Sequence, residues 1–265
     1  MRRRGARRRA GRRGGLAVSG RSPRRRVRRA RPRHRAPVRL DPPAGGPTIA
    51  PLRICVPRGA LLDGSVDLLE RAGVDAAVLR DPGRRLALEA PDGTAFITTR
   101  PSDVATYVEA GAADVGIAGR DVLLEYGADV YELLDLRFGG CRMSYCTKAG
   151  PDPTPEAVER LGVVRVATKY PRAAHGYFAG VGRQVEVVKV NGSVELAALV
   201  GLATGIVDLV ATGTTLRENG LVERDVIFES TARLIANRAS YTLRAEEIDA
   251  MVASMRAVVD EGVGE

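Results

Sequence analysis

A short stretch near residue 210 places one carboxylate next to three hydroxyls and a glycine. In IVDLVATGTTL, an apolar run contains Asp208 and leads into Thr212, Gly213, Thr214 and Thr215. The hydroxyls and the backbone N–H groups of a glycine turn at a helix start can donate to one oxyanion. The carboxylate can accept hydrogen bonds from sugar hydroxyls. The pattern therefore fits a 5-phosphoribosyl site, and it equally fits a strand–turn–helix corner whose threonines cap the helix.

Further candidates lie at turns in the first half of the chain. Arg58 and Gly59 follow the first predicted strand, at the kind of loop that binds anions in open α/β sheets. The alternative for Arg58 is a solvated surface charge. Arg100 precedes a helix start, where it faces either a phosphate or solvent. Asp114 precedes a short apolar strand, where it either contacts a ligand or caps a turn.

Two more candidates follow predicted strands in the second half. Lys169, one of three lysines in the sequence, stands at a strand-to-helix junction, and a ligand contact is the favoured interpretation. Glu195 follows the turn Asn191-Gly192-Ser193, in which Ser193 is a candidate N-cap. Glu195 is either a ligand contact or an acid favoured by the first turn of a helix.

The apolar patterning of residues 52–265 alternates between strand and helix periods. It predicts right-handed βαβ units in a parallel or mixed sheet. Prolines 151, 153 and 155 form a predicted linker between two such units, which indicates two lobes with a cleft between them. Besides the strand that holds Asp208, the predicted strands are 53–57, 86–90, 95–99, 114–118, 130–136, 141–147, 163–168, 185–190 and 226–236. The predicted helices are 61–72, 101–110, 121–126, 171–179, 194–203, 216–219 and 245–259.

The charge of the chain is divided unevenly. Its total is +9, but residues 1–51 contain 18 arginines and one acid, Asp41, and carry +17, so that residues 52–265 carry −8. The basic arm lacks the apolar residues needed to offset chain entropy, and its composition predicts disorder. We interpret it as an over-extended translation start, with a nonspecific polyanion-binding tail or a targeting segment as alternatives. No specific nucleic-acid binding is expected of the acidic body.

Composition also argues against a membrane or metal-centred protein. No apolar run approaches the ~20 residues of a membrane span, and the arm lacks the apolar core of a secretory signal, so the expected location is the cytoplasm. Cys55, Cys141 and Cys146 lack metal-ligand spacing and fit a reducing compartment. The two histidines are His34, in the arm, and His175, which is predicted on a helix surface. A histidine-based metal site is therefore not expected.

Five motifs occur in the order and at the spacing of one enzyme family. From Leu52 onwards the chain resembles ATP phosphoribosyltransferase, the first enzyme of histidine biosynthesis. The dipeptide Ala236-Asn237 also fits. The motifs are 100–104 (RPSDV), 114–125 (DVGIAGRDVLLE), 166–171 (VATKYP), 190–197 (VNGSVELA) and 201–221 (GLATGIVDLVATGTTLRENGL).

The resemblance implies a two-lobed α/β fold like that of the type II periplasmic binding proteins. Lobe one would comprise residues 52–143 and 228–265, and lobe two residues 144–227. The implied reaction joins C1 of phosphoribosyl pyrophosphate to N1 of ATP, giving phosphoribosyl-ATP and pyrophosphate, with Mg2+ as the cofactor. The implied transition state resembles an oxocarbenium ion, so that charge stabilisation matters more than a strong base.

The resemblance also assigns roles to the candidates. The phosphoribosyl pyrophosphate site would comprise Asp208, Thr212, Gly213, Thr214 and Thr215. Asp208 and Glu195 would orient the ribose hydroxyls, and Lys169 completes the catalytic set. The ATP-binding candidates are Arg58, Gly59, Arg100 and Asp114. The family's first loop usually contains Pro-Lys-Gly-Arg, whereas this chain has Pro-Arg-Gly-Ala, so the contact of the second basic residue is lost at Ala60.

Two rival functions remain open from the residues. A purine or pyrimidine salvage phosphoribosyltransferase also has an acid before a Thr-Gly loop, but usually a pair of acids, and here Val207 precedes Asp208. A non-catalytic two-lobed binding protein would have a secretory signal, and none is visible.

The resemblance extends to partners. After the last predicted helix, which ends near Val259, only residues 260–265 follow, too few for the histidine-binding domain of long family members. The chain is therefore expected to be the short form. Short members form homodimers within a hetero-oligomer, together with a regulatory subunit that resembles histidyl-tRNA synthetase.

Overall fold

The computed structural model describes residues 51–262, so the predicted basic arm lies outside the described residues except for Pro51. Within this range the α/β class predicted from the sequence is confirmed.

The strands are β1 (Arg53–Pro57), β2 (Ala87–Glu89), β3 (Ala95–Thr99), β4 (Val115–Gly119), β5 (Tyr131–Asp135), β6 (Cys141–Lys148), β7 (Val164–Thr168), β8 (Val185–Lys189), β9 (Gly205–Val210), β10 (Leu221–Ser230) and β11 (Ala232–Ala236). The α-helices are α1 (Leu62–Arg71), α2 (Val104–Glu109), α3 (Arg120–Tyr126), α4 (Thr154–Leu161), α5 (Pro171–Gly180), α6 (Val194–Leu199), α7 (Thr214–Glu218), α8 (Arg238–Leu243) and α9 (Ala245–Glu261). Short 3₁₀ turns cover Ala77–Leu79 and Pro101–Asp103.

The strands form two mixed sheets, one in each lobe. The first has the order β2-β3-β1-β4-β11-β5, and the second has the order β10-β6-β9-β7-β8. In the first sheet β1 is parallel to β3 and β4, while β11 is antiparallel to its neighbours. In the second sheet β7 is parallel to β8 and β9, while β6 is antiparallel to β9 and β10. The parallel strands of each sheet therefore end at a common edge.

Both sheets are buried on both faces, which explains the nearly continuous apolar runs of their central strands. In β1, Ile54 contributes to one core and the adjacent Cys55 to the core on the other face. In β9, Ile206 and Val207 alternate in the same way. Burying side chains of this size contributes about 1.5–3 kcal/mol each, which anchors the strand ends that carry the polar residues.

The chain crosses between the sheets twice, at neighbouring points. It leaves the first sheet after β5 and returns between Ser230, the last residue of β10, and Ala232, the first of β11. Ser230 pairs in register with Cys141, the first residue of β6. The lobe boundaries expected at 143/144 and 227/228 fall inside β6 and β10, two strands of the second sheet.

Four local predictions were wrong. The helix predicted at 194–203 already ends at Leu199. The run at 226–236 is two strands in different sheets, because the chain crosses over at Thr231. The proline cluster is part of a helix start. Asp152 Oδ1 accepts hydrogen bonds from the Thr154 N–H at 2.9 Å and its hydroxyl at 2.6 Å, and Pro155 is tolerated in the first turn of α4. Helix α7 begins at Thr214, two residues before the predicted start.

His175 is exposed on α5, as predicted. Among residues 51–262, no helix combines the length and the apolar character that crossing a membrane requires.

Candidate active site

A cleft of about 950 Å³ lies between the two lobes. It opens at the carboxyl ends of the parallel strands of both sheets, which is the usual ligand-binding edge of open α/β sheets. From the first lobe it is lined by Ala60, Leu61, Arg100, Pro101, Ser102, Gly119, Asp121, Val122, Tyr126, Gly139 and Gly140. The second lobe and the crossing strands contribute Cys141, Lys169, Tyr170, Lys189, Asn191, Leu209, Ala211, Ser230, Thr231 and Ala232.

The threonine loop, residues 212–215, begins directly after a residue that lines this cleft. Ala211 lines the cleft, and the next residues turn through Gly213, whose φ of 73° is in the left-handed region that glycine tolerates. The hydroxyls of Thr212 and Thr214 lie 3.1 Å apart. Arg217 donates from Nη1 to the Thr212 carbonyl at 3.0 Å and from Nη2 to Thr214 Oγ1 at 3.0 Å. The threonine side chains are exposed, so an incoming anion meets both hydroxyls and a guanidinium.

Asp208 lies on β9 just before that loop. Its Oδ1 accepts a hydrogen bond from the Leu209 N–H at 2.9 Å. Burial chiefly raises the pKa of Asp208, the charge of Lys169 lowers it and the charge of Glu195 raises it further. Lys169 and Glu195 therefore both lie within electrostatic range of Asp208. Two half-buried acids and one exposed lysine form this cluster.

The hydroxyl of Thr168 stabilises the turn that carries Lys169. Thr168 Oγ1 donates to the Val207 carbonyl at 2.6 Å and accepts from the Tyr170 N–H at 2.8 Å. This links the end of β7 to β9 beside Asp208, and it directs Lys169 and Tyr170 into the cleft. Lys189, the last residue of β8, gives the same wall a second lysine.

Arg100 faces the cleft from the other lobe. It has extended backbone angles (φ −66°, ψ 148°) and precedes the turn of Pro101 and Ser102, which also line the cleft. Its side chain is exposed, so its charge is available to a ligand. Among the alternatives left by the sequence, the structure favours the ligand-facing position.

Arg58 is not among the residues that line the cleft. Its Nε donates to Thr98 Oγ1 at 3.1 Å and its Nη2 to the Arg85 carbonyl at 2.7 Å, which ties the loop to the segment around β2 and β3. Gly59 has φ of 87° and makes the turn into Ala60, which lines the cleft. The loop therefore offers backbone rather than the Arg58 side chain to the cleft.

Asp114 is not brought to the cleft. It precedes β4, at the amino end of that strand, and only 3% of it is exposed. Its oxygens accept hydrogen bonds from Arg53 Nη2 at 2.8 Å, Ser240 Oγ at 2.8 Å and Arg244 Nη1 at 3.3 Å. We therefore correct its assignment from an ATP contact to an ion pair that holds β1, β4 and α8 together.

Sequence reasoning did not single out several lining residues. Asp121 follows β4, Tyr170 follows β7, and Lys189 ends β8. All three lie at carboxyl ends of parallel strands, and that position was the available signal. Ser230 had no such signal, because it enters the cleft only through the crossing between the lobes.

A second hollow, of about 420 Å³, lies on the outside of the second lobe around α4 and the end of α6. Both arginines that line it are already paired, Arg160 with Glu156 at 2.9 Å and Arg165 with Glu186 at 2.9 Å. It therefore offers less uncompensated charge than the interlobe cleft.

The fold and the cleft define the class of the protein. A periplasmic His/Glu/Gln/Arg/opine family-binding protein from Silicibacter pomeroyi has the same fold, with a TM-score of 0.52 at 13% identity over 80% of this chain and 92% of that chain. The chain is thus a two-lobed α/β protein of the type II periplasmic-binding-protein-like class, as predicted. At this identity the likeness concerns the fold alone.

Sequence relatives identify the family within that class. The family described as HisG, ATP phosphoribosyltransferase, matches residues 100–257. The ATP phosphoribosyltransferase of Rubrobacter xylanophilus is 55% identical over 208 residues, which are 77% of this chain and 94% of the relative. The ATP phosphoribosyl transferase (HisG:HisZ) complex from Thermotoga maritima matches with a TM-score of 0.67 at 29% identity, over 79% of this chain and 99% of that chain. The chain belongs to the ATP phosphoribosyltransferase family, and it catalyses the first step of histidine biosynthesis.

Proposed function

We propose that the interlobe cleft and the adjoining threonine loop transfer the 5-phosphoribosyl group of phosphoribosyl pyrophosphate to N1 of ATP. The observation that carries the proposal is the cluster of Asp208, Lys169 and Glu195 directly before a loop of exposed hydroxyls. Together these residues supply acceptors for the ribose hydroxyls, a cation for the pyrophosphate and donors for the 5-phosphate of that substrate.

The loop and the two acids hold the sugar. Thr212, Thr214 and Thr215, with the backbone at Gly213, donate to the 5-phosphate, while Asp208 and Glu195 accept from the ribose hydroxyls. Burial chiefly raises the pKa of Asp208, and repulsion by the negative charge of Glu195 adds to that effect. Hydroxyl donors placed between them relieve that repulsion, so the pair favours a polyhydroxy ligand.

Charge stabilisation drives the transfer. As the bond from C1 to the pyrophosphate oxygen breaks, positive charge develops on the ribose and negative charge on the leaving group. Lys169 faces the departing pyrophosphate, and Lys189 adds a second positive charge on the same wall. The anchored 5-phosphate keeps C1 aligned with N1 of the adenine, which lowers the entropic part of the barrier.

ATP is placed against the first-lobe wall. Arg100 faces its phosphates, and Ala60, which follows the turn at Gly59, borders the same space. Arg58 supports that loop through its bonds to Thr98 and Arg85 rather than by contacting ATP. Ala60, where the family usually has arginine, leaves this wall with one positive charge fewer.

Magnesium is proposed to enter as a companion of the substrate pyrophosphate. Among residues 51–262, no group of three or more His, Cys, Asp or Glu side chains is placed to hold a metal ion. Mg2+ usually keeps several waters and binds through few carboxylates together with substrate phosphates. The donor set therefore fits an ion carried on the pyrophosphate, where it supplies positive charge to the leaving group, and does not fit a resident metal cage.

Pyrophosphate release tests this function against its rivals. The protein is incubated with phosphoribosyl pyrophosphate, Mg2+ and either ATP, adenine or orotate. Release that requires ATP supports the proposal. Release with adenine or orotate instead would indicate a salvage phosphoribosyltransferase, and binding without release in any mixture would indicate a non-catalytic binding protein.

We further propose a regulatory partner. The matched T. maritima chain occurs in a HisG:HisZ complex, and this chain covers nearly all of it. From the family resemblance we propose a homodimer within a hetero-oligomer in the cytoplasm, beside a subunit that resembles histidyl-tRNA synthetase. Feedback by histidine would then reside on the partner. Titrating histidine against the isolated chain and against the complex checks this, because strong inhibition of the isolated chain would contradict it.

A further inference from the structure

Asp121 is a buried acid in the cleft, and none of the proposed substrate contacts involves it. It lies in the first turn of α3, immediately after the carboxyl end of β4, and 7% of it is exposed. Within the part of the chain that the structure describes, it is the only acidic residue lining the cleft. It faces the second lobe from the first-lobe wall.

The surroundings of Asp121 differ from those of a structural acid. Ser230 Oγ donates to Asp121 Oδ1 at 2.8 Å and accepts from the Asp121 N–H at 3.0 Å. No lysine, arginine or histidine of residues 51–262 forms a salt bridge with Asp121, whereas Asp114 is held by two arginines. Burial raises the pKa of Asp121, and the bond from Ser230 offsets this in part. The chain thus keeps an uncompensated carboxyl at the edge of a ligand-sized cleft.

Tyr170 lines the same cleft as Asp121. Burial chiefly raises the pKa of Tyr170, and the negative charges of Asp121 and Asp208 raise it further. The phenol, which lines the cleft, is therefore within electrostatic reach of both acids. Leu209, the neighbour of Asp208 in the chain, lines the same cleft as Tyr170 and Asp121.

The proposed reaction requires a base that can accept a proton from the adenine amino group. The lone pair of adenine N1 forms the bond to C1, and the electron pair of the broken C1–O bond leaves with pyrophosphate. The adenine then carries a positive charge spread over N1, C6 and N6. Loss of one N6 proton restores a neutral base, and a carboxylate that accepts a hydrogen bond from N6 makes N1 more nucleophilic beforehand.

We propose that Asp121 accepts a hydrogen bond from the N6 amino group of ATP and takes one N6 proton as the bond between N1 and C1 forms. This inference rests on the proposed function, and it makes Asp121 a catalytic and specificity-determining residue of the first lobe. The proton then passes to solvent through the open cleft, which leaves Asp121 ionised for the next turnover.

The first test is a thermodynamic cycle that combines one change in the protein with one change in the nucleotide. Asp121→Asn keeps the shape of the side chain and an acceptor for Ser230, but turns an amide N–H toward N6. The matching change in the nucleotide replaces ATP by purine riboside triphosphate, which lacks the amino group. We expect wild type to prefer ATP in binding, and Asp121→Asn to reduce that preference roughly tenfold to a hundredfold while kcat with ATP falls as much. The KM for phosphoribosyl pyrophosphate should stay unchanged.

A matched control is Asp92→Asn, at an exposed turn where Asp92 Oδ1 accepts from the Thr94 N–H and asparagine can do the same. It should keep wild-type selectivity. An Asp121→Asn protein that is folded and retains the full preference for ATP over the analogue overturns the inference, while ATP-dependent pyrophosphate release by wild type would still uphold the proposed function. No release by wild type overturns both.

The second test needs no substitution of Asp121. Because the ionised form is required, kcat/KM for ATP should fall as the pH is lowered through its pKa. Ser230→Ala removes a bond that lowers this pKa, so the fall should move to higher pH. A uniform loss of activity with an unmoved acid limb would show that Ser230 and Asp121 are only structural.

Discussion

Glu125 of the first lobe bonds directly to Arg172 of the second. Glu125 Oε1 accepts from the Arg172 N–H at 3.1 Å, and Oε2 accepts from the Ala173 N–H at 3.0 Å. The N–H groups in the first turn of a helix have no partner within the helix, so this carboxylate satisfies two of them across the interlobe boundary. Since α5 begins directly after Lys169 and Tyr170, the contact also fixes the wall of the cleft that these two residues form.

Removing this contact should loosen the lobes. Glu125→Ala is expected to lower the free energy of unfolding by about 0.5–2 kcal/mol, because two helix N–H groups lose their acceptor. Chemical denaturation monitored by circular dichroism measures it. Glu159→Ala, at an exposed position on α4, is the control and should change stability little. Equal stability of the Glu125 variant and wild type would mean that solvent replaces the contact at no cost.

Changes at the sugar site should separate the two substrates. Asp208→Asn and Thr215→Ala each remove a group proposed to touch only phosphoribosyl pyrophosphate, so each should weaken its use by about 1.5–3 kcal/mol, or roughly tenfold to a hundredfold, with little effect on ATP binding. Steady-state kinetics with each substrate varied give the answer. Glu218→Gln, exposed on α7, serves as the control. Unaltered kinetics for the sugar phosphate would identify the loop as a structural corner.

Asp114 should matter to stability and not to catalysis. Burial opposes its ionisation, but the hydrogen bonds from Arg53 and Ser240 outweigh burial and hold the pKa of Asp114 below 3.8, its ordinary value. Asp114→Asn should cost about 1.5–3 kcal/mol at neutral pH and leave both KM values unchanged. Because the folded pKa is depressed, the contribution is present above pH 3.8 and is lost as the pH falls through the folded pKa.

Denaturation of wild type and Asp114→Asn at a series of pH values measures that dependence. The difference in unfolding free energy between them should shrink toward acid pH. A raised KM for ATP in the variant would instead restore the ATP contact that the sequence had indicated.

The sequence predicts that the basic arm is dispensable, because it lacks core-forming residues and carries a charge opposite to that of residues 52–265. A protein that begins at Thr48 should keep its solubility, its thermal midpoint and its turnover. A large loss of soluble protein or of activity would show that the arm contributes to the working enzyme.

Apolar periodicity predicted most elements to within a residue or two. Helix α1 was expected at 61–72 and spans Leu62–Arg71, because its apolar residues recur at helical spacing and pack on β1. The run at 226–236 misled because both halves have strand periodicity. Only the tertiary crossing at Thr231 separates them, and a local pattern contains no signal for it.

The site was predictable where chemistry and strand direction coincide. Asp208 lies in the carboxyl half of β9, Lys169 directly follows β7, and the charge of Lys169 acts on Asp208. Asp114 and Asp121 occur in one motif, and strand direction decides between them. Asp114 precedes β4, at the edge away from the cleft, whereas Asp121 follows it. The side-chain direction of Arg58 depends on contacts with distant Thr98 and Arg85, which spacing alone does not reveal.

The central claim is that this cleft joins C1 of phosphoribosyl pyrophosphate to N1 of ATP. The most direct measurement is an NMR analysis of the product formed from ¹³C1-labelled phosphoribosyl pyrophosphate and ¹⁵N1-labelled ATP. We expect a new one-bond coupling between the labelled carbon and the labelled nitrogen, which appears with pyrophosphate and diminishes in Asp208→Asn. Recovery of both substrates unchanged, or a carbon bonded to any atom other than N1, would contradict the account.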